Sequence, residues 1–234
     1  MGLGVEAKDR LIVALDFGSR RETMEMLARL EGRCRWFKVG MELFYAAGPG
    51  VVEEIRARGF EVFLDLKLYD IPNTVAGAVR SLEGTGASLL TVHAGGGLAM
   101  LRAAREAVRS ERMRLLAVTV LTSMDAEQMA GVGVAGGLAT QVGRLARLAA
   151  QAGIDGMVCS AEEVGDLRRE LGWGALLVVP GIRPAGAAAA DQRRVAGPGE
   201  ALRRGASMLV VGRPITQAAD PLGMAMRILE EMEA

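Results

Sequence analysis

The densest group of ionisable side chains in the sequence is a lysine flanked by two acids. Asp65, Lys67 and Asp70 follow closely on one another at the end of an apolar run that predicts a β-strand. Because side chains alternate between the two faces of a strand, Asp65 and Lys67 are expected to point the same way, with Leu66 on the opposite face. Neighbouring carboxylates favour the ammonium form of Lys67.

An ammonium held in this way is a poor Schiff-base nucleophile but a good proton donor and stabiliser for a developing carbanion. A structural ion-pair network is the alternative interpretation of these three charged residues. Asp16 and Lys38 end two other predicted strands, and Lys38 is placed to pair with Asp65 across neighbouring strands. Either residue could instead be a buried ion-pair partner without a catalytic role.

A second group of residues has the composition of a phosphate site. Pro180-Gly181-Ile182-Arg183 follows one predicted strand, and Val211-Gly212-Arg213-Pro214-Ile215-Thr216 follows the last one. Glycine lets main-chain amides approach an anion, and arginine offers a planar fork to phosphate oxygens. The alternative is a pair of surface arginines in loops. The segment from Arg183 to Gln192 is either a lid that closes over the phosphate, with Gln192 in contact, or a plain solvent loop.

His93, the only histidine, invites a role as a general base, but a hydrogen-bonded residue at the end of a strand is the favoured interpretation. Cys34 and Cys159 are far apart, and neither has the spacing of a metal ligand. No metal site is expected. The two cysteines are interpreted as reduced thiols of a cytoplasmic protein.

Short apolar runs that alternate with amphipathic segments must position these groups. Eight runs predict strands, which are Leu11–Leu15, Trp36–Val39, Val62–Leu66, Leu89–His93, Leu115–Leu121, Gly156–Cys159, Leu176–Val179 and Met208–Val211. The predicted helices are Arg21–Leu30, Gly50–Arg58, Asn73–Glu83, Leu98–Val108, Leu138–Ala152, Ala161–Leu171, Gly199–Arg203 and Pro221–Glu231. This alternation predicts an α/β fold, a single-domain (β/α)8 TIM barrel over residues 1–234, with an open doubly wound sheet as the alternative.

The composition of the chain argues against nucleic acid and membranes as binding partners. The chain has 28 basic and 28 acidic residues, so it has no general attraction for nucleic acid or anionic membranes. Aromatic residues make up 4% of the chain and leave few platforms for stacking bases. The amino-terminal residues contain no apolar signal segment, and no apolar run reaches the ~18 residues of a membrane span. We therefore expect a small-molecule substrate, with no nucleic acid and no membrane.

Several motifs together resemble the orotidine 5′-phosphate decarboxylase family of bacterial type. Their order is VALDF at Val13–Phe17, FKVGMELF at Phe37–Phe44, DLKLYDIPNT at Asp65–Thr74, VHAGGG at Val92–Gly97, VTVLTSM at Val118–Met124, PGIR at Pro180–Arg183, DQRRV at Asp191–Val195 and VGRPIT at Val211–Thr216. The motifs span essentially the whole chain. Tyr69 departs from the pattern, since bacterial members have His there.

The resemblance implies decarboxylation of orotidine 5′-monophosphate to UMP and CO2, the last step of UMP biosynthesis, without a cofactor. It implies that Lys67 donates a proton to carbon 6 of the pyrimidine, that Asp65 and Asp70 flank it, and that a homodimer shares its active sites through Asp70 and Thr74. The implied substrate-binding residues are Asp16, Lys38, Asp65, Leu66, Lys67, Leu68, Tyr69, Asp70, Ile71, Pro72, Asn73, Thr74, Thr122, Arg183, Gln192, Gly212 and Arg213.

Within this set the resemblance assigns Asp16 and Lys38 to the ribose hydroxyls and Thr122 to the pyrimidine. It assigns Arg183, Gln192, Gly212 and Arg213 to the 5′-phosphate. Two other functions remain open. One is a related barrel, a keto-gulonate phosphate decarboxylase or hexulose phosphate synthase, which shares the D-x-K-x-x-D pattern but uses Mg²⁺ and an enediolate. The other is a sugar-phosphate-binding barrel without catalytic activity.

Overall fold

The apolar runs of the sequence form the strands of a closed barrel. A computed structural model describes residues 6–184 and 196–234. Within these residues the strands are β1 (Leu11–Ala14), β2 (Trp36–Gly40), β3 (Glu61–Leu68), β4 (Leu89–His93), β5 (Arg114–Val118), β6 (Gly156–Val158), β7 (Leu176–Val179) and β8 (Met208–Val211). Neighbours in the chain pair in parallel, and β8 closes on β1 with Leu11 opposite Leu209. The predicted (β/α)8 barrel is confirmed, and the open sheet is excluded.

Helices cover the outside of the barrel. They are α1 (Arg20–Leu30), α2 (Met41–Ala47), α3 (Gly50–Ala57), α4 (Pro72–Glu83), α5 (Gly97–Ala107), α6 (Ala126–Gly131), α7 (Gly137–Gln151), α8 (Val164–Leu171), α9 (Pro198–Arg203), α10 (Arg213–Thr216) and α11 (Pro221–Glu233). Short 3-10 turns lie at Ala7–Asp9 and Ala94–Gly96.

Most predicted elements agree with the structure to within a residue or two. The predicted strand Leu115–Leu121 is wrong at its end, because β5 stops at Val118, which pairs with the last residue of β6, Val158. The helix predicted from Ala161 begins only at Val164. Three helices that are seven residues long or shorter, α2, α6 and α10, were not predicted from the sequence.

Two separate apolar layers hold the barrel together. Alternate residues of the strands, such as Ile12, Phe63 and Leu116, fill the interior of the barrel. The residues between them, such as Val13 and Leu64, pack with the helices in a much larger outer core. Strands that are buried on both faces read as continuous apolar runs, which explains why the strands were recognisable in the sequence.

A buried arginine joins several segments at the base of the barrel, where the strands begin. Arg168 of α8 donates to the carbonyl oxygens of Gly172, Ala175 and Gly205. Its guanidinium also lies 4.7 Å from the ring centroid of Trp173, a side chain that is 81% exposed. Trp36, the first residue of β2, lies at the same end and lines the same surface depression as Trp173. Among the described residues, none of the helices is both long and apolar enough to cross a membrane.

Candidate active site

The inward face of each strand changes from apolar to polar toward its carboxyl end. On β3, the inward residue Phe63 is followed by Asp65 and then Lys67, both of which line a cavity at the mouth of the barrel. Asp16 lies on the inward face of the chain just after β1. Lys38 lies on the inward face of β2, two residues after the inward residue Trp36. The alternation of the strands therefore brings the predicted charged residues to one place, at the end of the barrel where enzymes of this fold have their active sites.

Two acids and two lysines alternate across the first three strands. Lys38 Nζ lies 2.9 Å from Asp16 Oδ1 and 3.6 Å from Asp65 Oδ2. The other oxygen of Asp65, Oδ1, accepts from Lys67 Nζ at 2.8 Å. The predicted pairing of Lys38 with Asp65 is confirmed, and the result is a continuous row, Asp16–Lys38–Asp65–Lys67. Gly40 leaves room for this row, because a Cβ there would lie 3.0 Å from Lys38 Nζ and 3.2 Å from Asp16 Oδ1.

Asp65 is the ionised centre of the row. Burial by itself would raise the pKa of the Asp65 carboxyl, but the positive charges of Lys38 and Lys67 and the hydrogen bonds from Lys67 and Thr91 outweigh it. The pKa of Asp65 therefore lies below its ordinary value, and the carboxylate remains charged at neutral pH. A permanent negative charge at Asp65 holds the Lys67 ammonium in place.

The main chain of Lys67 is unusual. Its φ of 50° makes it the one non-glycine residue with a positive φ in the described part of the chain. The pairing of β3 with β4 is irregular at this point, between Leu64 and Leu68. The amide of Lys67 donates to the hydroxyl of Thr91 on β4, at 2.8 Å. Neither this bulge nor the contact of Thr91 was predicted from the sequence.

The opposite side of the cavity is lined by the two predicted arginine motifs. Gly181 and Arg183 follow β7, while Gly212 and Arg213 follow β8, and all four residues line the cavity. Burial and the neighbouring charge of Arg213 lower the pKa of the Arg183 guanidinium. The two guanidiniums together form a site of concentrated positive charge, as an anion with two negative charges requires.

The cavity between the charged row and the arginines has a volume of about 250 Å³. Its floor is apolar and includes Phe63, Val118 and Val210, while Leu121 and Thr122 line one side. A small ligand with an anionic group at one end would fit with that group near Arg213 and its other end near Lys67.

Comparison with known proteins identifies the family. The model of the orotidine 5′-phosphate decarboxylase / HUMPS family matches residues 9–228. The chain belongs to this family. A relative from Hahella chejuensis named orotidine 5′-phosphate decarboxylase is 50% identical over 228 residues, which cover 96% of this chain and 97% of the relative. A relative of the same name from Halorhodospira halophila is 50% identical over 234 residues, covering 99% of both chains.

Solved structures similar to this chain have the same fold. The crystal structure of orotidine 5′-phosphate decarboxylase from Lactobacillus acidophilus has a TM-score of 0.85 and 38% identity, covering 97% of this chain and 100% of that one. An uncharacterised conserved protein from Geobacillus kaustophilus has a TM-score of 0.82 and 40% identity, covering 95% of this chain and 99% of that one.

The family segment Asp65–Thr74 is divided between the cavity and the surface. Leu66 and Leu68 pack in the outer core, so their side chains do not line the cavity. Residues Tyr69 to Thr74 are exposed and lie outside the cavity lining. Pro72 is the first residue of α4, one residue before the predicted start at Asn73. Asp70 Oδ1 accepts from the amide of Ile71 at 2.6 Å.

The expectation that Lys67 lies between two carboxylates of its own chain is therefore wrong. Among the described residues Lys67 has one carboxylate partner, Asp65, and Asp70 forms no ion pair within 4 Å. The turn after the bulge directs Asp70 outward, which strand alternation alone could not predict. Gln192, the remaining residue of the predicted set, lies outside the described residues.

Tyr69, where the sequence departs from the bacterial pattern of the family, covers His93. The two rings stack with centroids 5.2 Å apart. The Tyr69 hydroxyl donates to the carbonyl oxygen of Gly95, and the amide of Gly95 donates to His93 Nδ1. This confirms the interpretation of His93 as a hydrogen-bonded residue at the end of a strand. Within residues 6–184 and 196–234, no three His, Cys, Asp or Glu residues are grouped closely enough to hold a metal ion.

Proposed function

We propose that this protein decarboxylates orotidine 5′-monophosphate to UMP and CO2 without a cofactor, as the last step of UMP biosynthesis. The observation that carries the proposal is the position of the Lys67 ammonium. It is held by Asp65 at the mouth of a cavity whose opposite side is lined by Arg183 and Arg213. The curated relatives at about 50% identity have the name of this enzyme.

The reaction breaks the bond between carbon 6 of the pyrimidine and its carboxylate. The electron pair of that bond stays on carbon 6, CO2 leaves, and Lys67 Nζ transfers a proton to carbon 6. Lys67 then regains a proton from solvent. No conjugated acceptor takes up the charge on carbon 6, so the protein must stabilise it, and large enzymatic barrier reductions amount to about 20 kcal/mol.

The charged row supplies this stabilisation by being fixed before the reaction. A positive charge at the place where negative charge develops stabilises the transition state more than the substrate. Asp65 and Thr91 hold Lys67 through its side chain and main chain, so little reorganisation is needed when carbon 6 becomes anionic. Asp65 also keeps Lys38 in the row, where its ammonium and Asp16 are placed to bind the ribose hydroxyls.

The other half of the cavity would bind the 5′-phosphate. Arg183 and Arg213 donate to its oxygens, and Gly181 and Gly212 leave space for a close approach of the main chain. Gln192 is proposed as a further phosphate contact, and Thr122 as a contact of the pyrimidine. Binding energy from the phosphate, which takes no part in the chemistry, can then favour the reactive geometry at carbon 6.

We further propose a homodimer in which Asp70 and Thr74 reach the neighbouring subunit's site. Their exposure in the single chain supports this arrangement, as do the neighbouring apolar side chains of Tyr69 and Ile71, which are 63% and 66% exposed. An acid from the partner would complete the second carboxylate contact that Lys67 lacks in its own chain. We place the protein in the cytoplasm, where buried thiols such as Cys34 and Cys159 stay reduced.

A spectroscopic assay of orotidine 5′-monophosphate consumption, with and without EDTA, tests the proposal. We expect turnover to be equal in both conditions, with UMP and CO2 as products. Loss of turnover in EDTA would instead support the Mg²⁺-dependent barrels. Binding of UMP without any consumption of orotidine 5′-monophosphate would support a sugar-phosphate-binding protein and overturn the proposal.

A further inference from the structure

The main chain of Lys67 lies where the regular pairing of β3 with β4 is interrupted. Leu64 is opposite Leu90, and Leu68 is opposite Val92, so four steps along β3 correspond to only two along β4. Lys67 lies in this bulge with a φ of 50°, a conformation that L residues with a Cβ adopt only when their surroundings enforce it. Its amide therefore needs a hydrogen-bond acceptor from elsewhere.

The hydroxyl of Thr91 is that acceptor, and it has a second contact that fixes its direction. Thr91 is fully buried on β4, and its Oγ1 lies 2.8 Å from the amide nitrogen of Lys67 and 3.1 Å from Asp65 Oδ1. An amide can only donate, and an ionised carboxylate can only accept. The hydroxyl must therefore accept from Lys67 and donate to Asp65, which uses both of its functions.

These contacts close a ring through the site. Asp65 Oδ1 accepts both from the Thr91 hydroxyl and from the Lys67 ammonium at 2.8 Å. The buried hydroxyl oxygen of Thr91 thus fixes the main chain of Lys67 and also orients the Asp65 carboxylate, which binds the Lys67 side chain. Thr91 does not line the cavity, so it would not touch a bound substrate.

We propose that Thr91 is a positioning residue for Lys67, and this inference rests on the proposed function of the site. Without the hydroxyl, the Lys67 amide has no acceptor and the bulge loses the contact that holds its positive φ. Asp65 loses a donor and can rotate. The ammonium then occupies a wider range of positions, and the decarboxylation step slows while substrate binding through Arg183 and Arg213 is retained.

Replacement of Thr91 by Val or by Ser separates the hydroxyl from the shape of the side chain. In T91V we expect kcat to fall at least about tenfold, with the UMP dissociation constant within about threefold of the unaltered protein. In T91S, which keeps the hydroxyl, kcat should return to within about threefold. Equal kcat values for T91V and the unaltered protein would overturn the inference, as would a loss in T91S as large as that in T91V.

A matched control excludes a general effect of losing a buried threonine. Thr23 on α1 is also fully buried and donates to the carbonyl oxygen of Ser19, at 3.0 Å, away from the cavity. T23V should lower thermal stability but leave kcat unchanged. If T91V does not fold, T91A and T91S give the same comparison, since they differ by a single oxygen atom.

Hydrogen exchange makes the test independent of turnover. The Lys67 amide should exchange at least about tenfold faster in T91A than in T91S, because only Ser can accept its hydrogen. Equal exchange rates would overturn the inference even in an active enzyme. If the unaltered protein does not consume orotidine 5′-monophosphate, the proposed function fails, while the exchange rates still decide whether Thr91 holds the main chain of Lys67.

Discussion

The two ends of the barrel carry similar charged residues but use them differently. At the amino ends of the strands, Arg168 donates hydrogen bonds to three main-chain carbonyl oxygens and to the hydroxyl of Ser207. At the carboxyl ends, Lys38 and Lys67 contact carboxylates at the edge of a cavity. Arginine at the base joins segments of the chain, whereas lysine at the mouth faces a space that a ligand can fill.

The comparison shows that burial of a charge does not by itself indicate a function. Glu61 at the base is also paired with arginines, and although burial works against ionisation, Ser88, Arg56 and Arg112 lower the pKa of its carboxyl. The pKa of Asp65 is lowered in the same way at the mouth. The two acids differ in what lies beside them. Glu61 contacts arginines, whereas Asp65 lines a cavity.

Lys67→Ala should give the largest effect, confined to catalysis. We expect kcat to fall at least about 10³-fold, because the variant loses both the proton donor and the charge that stabilises carbon 6. The UMP dissociation constant should stay within about tenfold, measured by calorimetry. Lys8→Ala, at an exposed lysine paired with Glu6, is the control and should leave kcat unchanged. Near-normal turnover in Lys67→Ala would refute the role of Lys67.

Arg168→Met, at the base of the barrel, should lower stability and leave catalysis nearly unchanged. Loss of the guanidinium leaves buried carbonyl oxygens without donors, and we expect the free energy of unfolding to fall by about 3 kcal/mol. The kcat of the folded variant should stay within about twofold. Urea denaturation and steady-state kinetics measure the two quantities. Arg169→Met, at the exposed neighbour on the same helix, should change neither. A selective loss of kcat in Arg168→Met would contradict this division between the two ends.

Arg213→Ala should weaken substrate binding at the mouth without destabilising the fold. We expect the KM for orotidine 5′-monophosphate to rise about 100-fold, since a charge-assisted contact to the phosphate is lost. Turnover should also slow, because phosphate binding favours the reactive geometry. Inhibition by uridine, which has no phosphate, should be equal in both proteins and serves as the control. An equal loss of uridine binding would mean that Arg213 does not act through the phosphate.

The smallest expected effect is a pH dependence of stability that arises from His93, at the rim of the mouth. Burial, together with the charge of Lys67, lowers the pKa of His93 below its ordinary value of 6.5. The folded state thus binds this proton less readily than the unfolded state. Stability should be at its full value above about pH 6.5 and fall as the pH drops through the folded-state pKa.

Proton NMR can follow this titration directly, since the chain has a single histidine. A midpoint at or above 6.5 would contradict the expected direction. In His93→Gln the fall in stability between neutral pH and the folded-state pKa should be smaller than in the unaltered protein.

Local sequence patterns predicted the strands and the inward direction of Asp65, because alternation and continuous apolar runs are local properties. The bulge at Lys67 could not be predicted in this way, since it depends on how β3 and β4 pair. The same irregularity explains the error at Asp70, whose direction follows the turn after Lys67. Thr91 was missed because a threonine in a strand normally indicates only β propensity. By contrast, the missed helix α6 did leave a local signal in the sequence, since Asp125 and Gln128 form a capping box.

The location of both tryptophans at the base has a practical consequence for optical experiments. Trp36 and Trp173 line a depression at the end of the barrel opposite the mouth. Intrinsic tryptophan fluorescence will therefore report local unfolding at the base of the barrel and remain insensitive to ligand binding in the cavity. A fluorescent report of ligand capture requires a new indole, and exposed Leu121 beside the cavity is a suitable place to introduce it.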